Sequence, residues 1–98
     1  MVTRVEWTDT ALNRYREIIF FYIQHDAKKA AIQFEKDVFS KIDRLKEYPN
    51  IGRQSKKFKT VRLINIDAKR QMAYRVKGKT MYISNFWDMR QDPKNRPF

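Results

Sequence analysis

Residues 71–87 read QMAYRVKGKTMYISNFW, and the way this stretch pairs with itself decides the fold. Apolar and polar side chains alternate on both sides of Lys77-Gly78, the period of a half-buried strand. A glycine there tolerates the positive φ that a two-residue hairpin turn requires. With Lys77-Gly78 as the turn, Val76 faces Lys79, Tyr74 faces Met81 and Met72 faces Ile83. These pairs form one largely apolar face, expected to lie on helices. Gln71, Ala73 and Arg75 then look the other way, across from Ser84, Tyr82 and Thr80.

Just upstream, Phe58 to Ile66 is a further strand-like run. Taking Asp67 to Arg70 as a four-residue loop sets Val61 opposite Val76 and Leu63 opposite Tyr74. Arg62 then falls directly opposite Arg75, on the face away from the apolar one. Like charges facing each other across a ladder are unfavourable. A sheet that keeps the pair offers it to an anion; the alternative is two long side chains splaying into water.

The first half of the chain is helical. Val2 to Trp7 alternates as a short strand with Val5 and Trp7 inward, and Thr8-Asp9-Thr10 supplies capping oxygens. Ala11, Leu12, Tyr15, Ile18, Ile19, Tyr22 and Ile23 then follow helical spacing. Phe20 and Phe21 widen the stripe, so this helix is expected to touch both the sheet and its neighbour. Gln24-His25-Asp26 marks a break, where His25 reads as a loop or capping residue. Ala27, Ala31, Phe34, Val38, Ile42 and Leu45 line a second helix, which Pro49 ends. The order is strand, two helices, three strands. It describes an α+β domain, β-α-α-β-β-β, with a helical hairpin packed on one face of a mainly antiparallel sheet.

Bulk properties bound the function. A chain of 98 residues makes one domain, residues 1–98, and its 42% hydrophobic content supplies a core. No apolar run is long enough to span a bilayer, and the N-terminus lacks the apolar centre of a signal peptide, so a cytoplasmic location with no membrane partner is expected. The absence of cysteine and the single histidine leave no recognisable metal-ligand spacing, and neither a metal nor a cofactor is expected. Lys plus Arg total 22 against 11 acidic residues, a net charge of +11. Such a surplus favours anionic partners: RNA, DNA or an acidic protein segment. Lys56, Lys57, Lys59 and Arg53 form its densest cluster and are the candidate nucleic-acid contacts.

Several stretches in order resemble one family. They are VEWTDTALNRYREIIFFYI, the helix from Ala31 to Leu45, YPNIGR at 48–53, VRLI at 61–64, MAYRV at 72–76 and the closing MYISNFWDMRQ. Together they are similar to the RelE/ParE toxins of type II toxin–antitoxin systems. The resemblance implies a concave sheet face as the active surface and a cognate antitoxin that wraps and neutralises the toxin in a hetero-oligomer. It leaves the target open. RelE-like members cleave messenger RNA in the ribosomal A site, ParE-like members poison DNA gyrase, and a degenerate RNA-binding module is a third class. Cleavage needs groups that activate a ribose 2′-OH, stabilise phosphorane charge and protonate the leaving oxygen. By resemblance, Arg62 and Arg75 match the sheet arginines that hold a phosphate, Arg90 the polar C-terminal position, and Tyr82 is a candidate proton donor. The cleavage reading leads on charge. Against it, the last strand has no histidine or glutamate, and YPNIGR is closer to the ParE-type members.

Overall fold

The computed structural model describes all 98 residues. Strand β1 (Arg4–Trp7) leads into helices α1 (Asp9–Gln24) and α2 (Lys28–Glu47). Strands β2 (Arg53–Gln54), β3 (Arg62–Asn65), β4 (Arg70–Lys77) and β5 (Thr80–Asp88) follow, then a short 3-10 turn at Pro93–Asn95. The five strands lie in the order β1-β5-β4-β3-β2. All neighbours are antiparallel except β1, which runs parallel to β5 at the edge. The expected element order is thus observed, with the two-residue β2 added.

Local chemistry starts and stops the helices where expected. The Thr8 hydroxyl accepts from the Ala11 N–H at 3.1 Å and donates to the Ser84 carbonyl at 3.0 Å, so one side chain caps α1 and ties it to β5. At the other end His25 closes the helix, its Nδ1 2.8 Å from the Phe21 carbonyl oxygen. Asp26 then takes a left-handed φ of 54°, which reverses the chain into α2. One apolar stripe of α2, Ala31, Phe34, Val38, Ile42 and Leu45, is buried against the sheet. Burying a side chain the size of Phe34 or Leu45 contributes about 1.5–3 kcal/mol. Met72, Tyr74, Met81, Ile83 and Phe86 meet that stripe from β4 and β5. Helix α1 touches both β5 and α2, as expected, through Tyr15, Ile18, Ile19 and Tyr22, but Phe20 and Phe21 take no part and are 59% and 49% exposed.

Both hairpin registers differ from the expectation, with different consequences. Gly78 and Lys79 form the β4–β5 turn, with Lys77 opposite Thr80 and Gly78 at φ 63°. Glycine at the first central position suits a type II′ turn. Tyr74 therefore faces Ile83 and Val76 faces Met81. The displacement is two residues in pairing, so each side chain keeps its face. Ser84 then bulges, and beyond it Ala73 pairs with Asn85 and Gln71 with Trp87.

The β3–β4 register slips by one residue, and that exchanges faces. The Asp67 carboxylate accepts from the N–H groups of Lys69 and Arg70 at 2.7 and 2.8 Å, closing the loop one residue early. Arg62 consequently lies opposite Tyr74, not Arg75, and Leu63 opposite Ala73. Tyr74 belongs to the core under the helices, so Arg62 is on the helix side and Leu63 on the open one. The expected strand from Phe58 is also shorter, because Ser55 accepts from the N–H groups of Lys57 and Phe58 and turns the chain into a loop.

Candidate functional site

Directly opposed residues share a face, so the ladders define what the open side of the sheet presents. Arg75 on β4 stands opposite Tyr82 on β5, which stands beside Glu6 on β1. The Arg75 guanidinium carbon lies 5.3 Å from the centre of the Tyr82 ring, a cation–π contact. Arg4 holds Glu6 at 2.8 Å. Arg75, Tyr82 and Glu6 thus make one polar group in the middle of this face. The β1 alternation carries this carboxylate, since an inward Val5 and Trp7 require an outward Glu6, but a lone glutamate on a short strand has no motif to mark it as a site residue.

Part of the same face is covered. Phe98, 7% exposed, seats on Leu63 and Ala73 with Val61 and Trp87 around it. Arg96 lies over the Phe98 ring at 5.8 Å and donates from Nε to its carbonyl oxygen at 2.9 Å. Near this apolar recess, Gln71 is fully buried. Its amide donates to Asn65 Oδ1 at 3.4 Å while its own Oε1 has no donor.

Arg62 belongs to a different construction. Its Nη1 donates to the carbonyl oxygens of Asn50 and Gly52 at 3.2 and 2.7 Å. Beside it, the Tyr74 hydroxyl donates to the Pro49 carbonyl at 2.7 Å and accepts from the Gly52 N–H at 3.0 Å. Burial raises the Tyr74 pKa above 10.0, against smaller opposing effects of the Gly52 N–H and the Arg62 charge, so the hydroxyl keeps the proton it donates. Arg62 and Tyr74 together tie the segment after α2 to the sheet. The shared anion site of Arg62 and Arg75 is therefore not formed, because the one-residue slip sends the two guanidinium groups to opposite faces.

Arg90 lies in a third place. Its Nε and Nη2 bond the two oxygens of Asp88 at 3.0 and 2.7 Å, and its N–H bonds Asp88 Oδ1 at 2.9 Å. The Arg90 guanidinium, helped by its backbone N–H and by the charge of Arg70, holds the Asp88 carboxyl at about 2, below its usual 3.8. This pair borders a cleft of about 320 Å³ between α1 and the end of β5, together with Arg14 and Arg70. The strand tip therefore carries Arg90 to α1, and not to Arg62 and Arg75.

Of the basic cluster, Lys56, Lys57 and Lys59 are all exposed on the β2–β3 loop, and Arg53 is exposed on β2 where that loop begins. Arg53 pairs with Leu63, which puts it at the edge of the open face. Among the expected site residues, the fold brings together Arg75 with Tyr82 and Arg53 with the three lysines. Arg62 lies next to Arg53 on the β2–β3 ladder but on the other face of the sheet, and Arg90 lies apart from both sets.

Comparison with known proteins agrees with this architecture. Residues 5–93 match the sequence profile of the ParE toxin of the type II toxin–antitoxin system, parDE. No curated protein matches the chain. Among solved structures, the chromosomal ParDE toxin–antitoxin system from P. aeruginosa superposes with a TM-score of 0.72 at 20% identity, over 89% of this chain and 96% of that one. The YoeB/ParE toxin from Agrobacterium tumefaciens superposes with a TM-score of 0.67 at 18% identity, over 88% of this chain and 98% of that one. The structural likeness carries the fold; the profile spans nearly the whole domain, and on it the chain belongs to the ParE toxin family of type II toxin–antitoxin systems.

Proposed function

We propose that this toxin acts by binding and not by cleaving, with DNA gyrase as its target and a cognate antitoxin as its inhibitor. The observation that carries the reading is the dispersal of Arg62, Arg75 and Arg90 over three separate regions. Stabilising a phosphorane calls for several donors converging on one developing charge. Arg75 is the one of the three on the open face, while Arg62 is engaged with backbone carbonyls and Arg90 with Asp88. A protein that traps a large complex needs surface instead: an exposed basic loop at Lys56, Lys57 and Lys59 that meets the DNA, and a rigid hairpin of helices. The matched family profile is that of the ParE toxins, the branch of the resemblance that poisons gyrase.

A second reading, ribosome-dependent mRNA cleavage, is favoured by one observation. Arg75, Tyr82 and Glu6 lie side by side across three strands, a guanidinium that can donate to a phosphate, a hydroxyl and a carboxylate on the open face. Two assays run in parallel decide between them. In a gyrase supercoiling reaction the purified protein is expected to trap cleaved gyrase–DNA complexes. In a translating extract it is expected to leave mRNA ends unchanged, and codon-dependent cuts at stalled ribosomes would establish the second reading instead.

A further inference from the structure

The cleft between α1 and the end of β5 holds a buried guanidinium that no carboxylate of the protein pairs directly. Arg70 opens β4 and is 6% exposed. Its guanidinium lies 5.1 Å from the centre of the Tyr22 ring and 5.5 Å from that of Phe34, and Nη1 donates to the Tyr22 hydroxyl at 2.6 Å. No carboxylate is within ion-pair distance of it. The two acids that border the cleft are already engaged: Glu17 with Arg14 at 3.3 Å, and Asp88 with Arg90 through both oxygens. Asp88 feels the Arg70 charge across the ladder but is held by Arg90, which leaves Arg70 without a carboxylate of its own. A buried guanidinium without a counter-ion is costly, and its open side faces a recess with room for a carboxylate and the carbon chain that carries it.

Apart from Gln91, the rest of the lining is apolar. Ile18 and Phe21 on α1 and Phe86 and Trp87 on β5 border the same cleft. Phe21, at the mouth of the cleft, is itself 49% exposed. A sugar–phosphate backbone matches the cation but not this surround. A polypeptide that alternates apolar and acidic side chains matches both, and the net charge of +11 steers such a segment towards the chain.

We propose that this cleft is a carboxylate recess: an aspartate or glutamate of the antitoxin enters it and pairs with Arg70, while neighbouring apolar residues of the same segment cover Ile18 and Phe21. Arg14 and Arg90 form its rim and bring the incoming acid to the buried charge. The inference rests on family membership, which implies a neutralising partner, and is independent of whether the target is gyrase or the ribosome.

Binding of a synthetic probe to the full-length protein tests it. The probe is a 16-residue amphipathic helical peptide of leucine and glutamate, compared with an analogue in which every glutamate is glutamine and with a ten-nucleotide single-stranded RNA. Arg70→Leu is expected to weaken the glutamate peptide at least about 30-fold, the loss associated with one partner of a buried charge pair. Lys79→Gln, which removes one charge from the distant hairpin turn, is expected to change it less than about threefold, as a distant, solvent-screened charge does. The Nε–H resonance of Arg70 is expected to shift with the glutamate peptide and not with the RNA. Equal losses in the two variants, equal binding of the glutamine analogue, or an Arg70 shift with RNA would each overturn the proposal. Should Arg70→Leu not fold, Asp88→Asn decides the matter. It frees Arg90 at the rim and is expected to tighten the glutamate peptide at least about threefold, since it removes a competing carboxylate; unchanged or weaker binding overturns the proposal.

Discussion

Tyr74 and Arg62 illustrate how one residue's environment can replace the role its type suggests. An arginine in a strand of a basic toxin invites assignment to a phosphate, yet Arg62 bonds the carbonyls of Asn50 and Gly52 while Tyr74 bonds Pro49 and Gly52. Tyr74→Phe removes two hydrogen bonds and leaves the Pro49 carbonyl and the Gly52 N–H without this partner. It is expected to cost about 1–3 kcal/mol. Thermal unfolding reads this as a fall in Tm of about 4–8 °C for each kcal/mol in a domain of this size. Asp88 gives a second residue-scale expectation. Its carboxyl titrates at about 2 when folded, against 3.8 as a free group. The folded state binds the proton less well, so the stabilisation is present above pH 4 or so and is lost as pH falls towards 2. A carboxyl-detected NMR titration is expected to give a midpoint near 2, and Asp88→Asn to flatten stability over that acid window.

At the scale of elements, what was legible and what was not separates along physical lines. The helix boundaries, the Thr8 cap, the buried stripe of α2 and the faces of the β4–β5 hairpin, though not its turn residues, follow from periodicity and turn chemistry, which are local. The register of β3 against β4 depends on a loop closed by the Asp67 side chain. One residue of loop length decides which face Arg62 takes, and alternating apolar residues fit either choice nearly as well. The arginine pair was lost there. Strand β2 escaped because it has two residues, and the cleft because it joins Arg14, Arg70 and Arg90 from three elements far apart in sequence. The segment after α2 carries its own test. A Cβ on Gly52 would lie 2.5 Å from the Tyr74 hydroxyl oxygen and 3.0 Å from the Leu63 carbonyl oxygen. Gly52→Ala is therefore expected to displace the segment from Tyr74 and destabilise the protein by about 1–3 kcal/mol, measured by chemical denaturation. Gly78→Ala should also destabilise, but through its φ of 63° and not through crowding, since nothing lies near its Cβ position.

Across the whole molecule, 22 basic and 11 acidic residues cover a domain with exposed apolar side chains on the outer side of its helical hairpin and an exposed basic loop at β2–β3. That distribution suits a protein that works by occupying a large partner and is silenced by an acidic one. Association with the antitoxin is expected to slow steeply as salt rises from low to physiological ionic strength, because screening at about 8–10 Å removes long-range steering. Stopped-flow measurement of the on-rate checks this, and a rate indifferent to salt would remove charge from the account. Whether toxicity comes from binding gyrase or from chemistry on RNA is decided by the stoichiometry of supercoiling inhibition. Titrated into purified gyrase, the toxin is expected to inhibit in proportion to the enzyme present, with cleaved DNA trapped on the complex. Unimpaired supercoiling at a large molar excess of a toxin that still arrests growth would contradict a gyrase target.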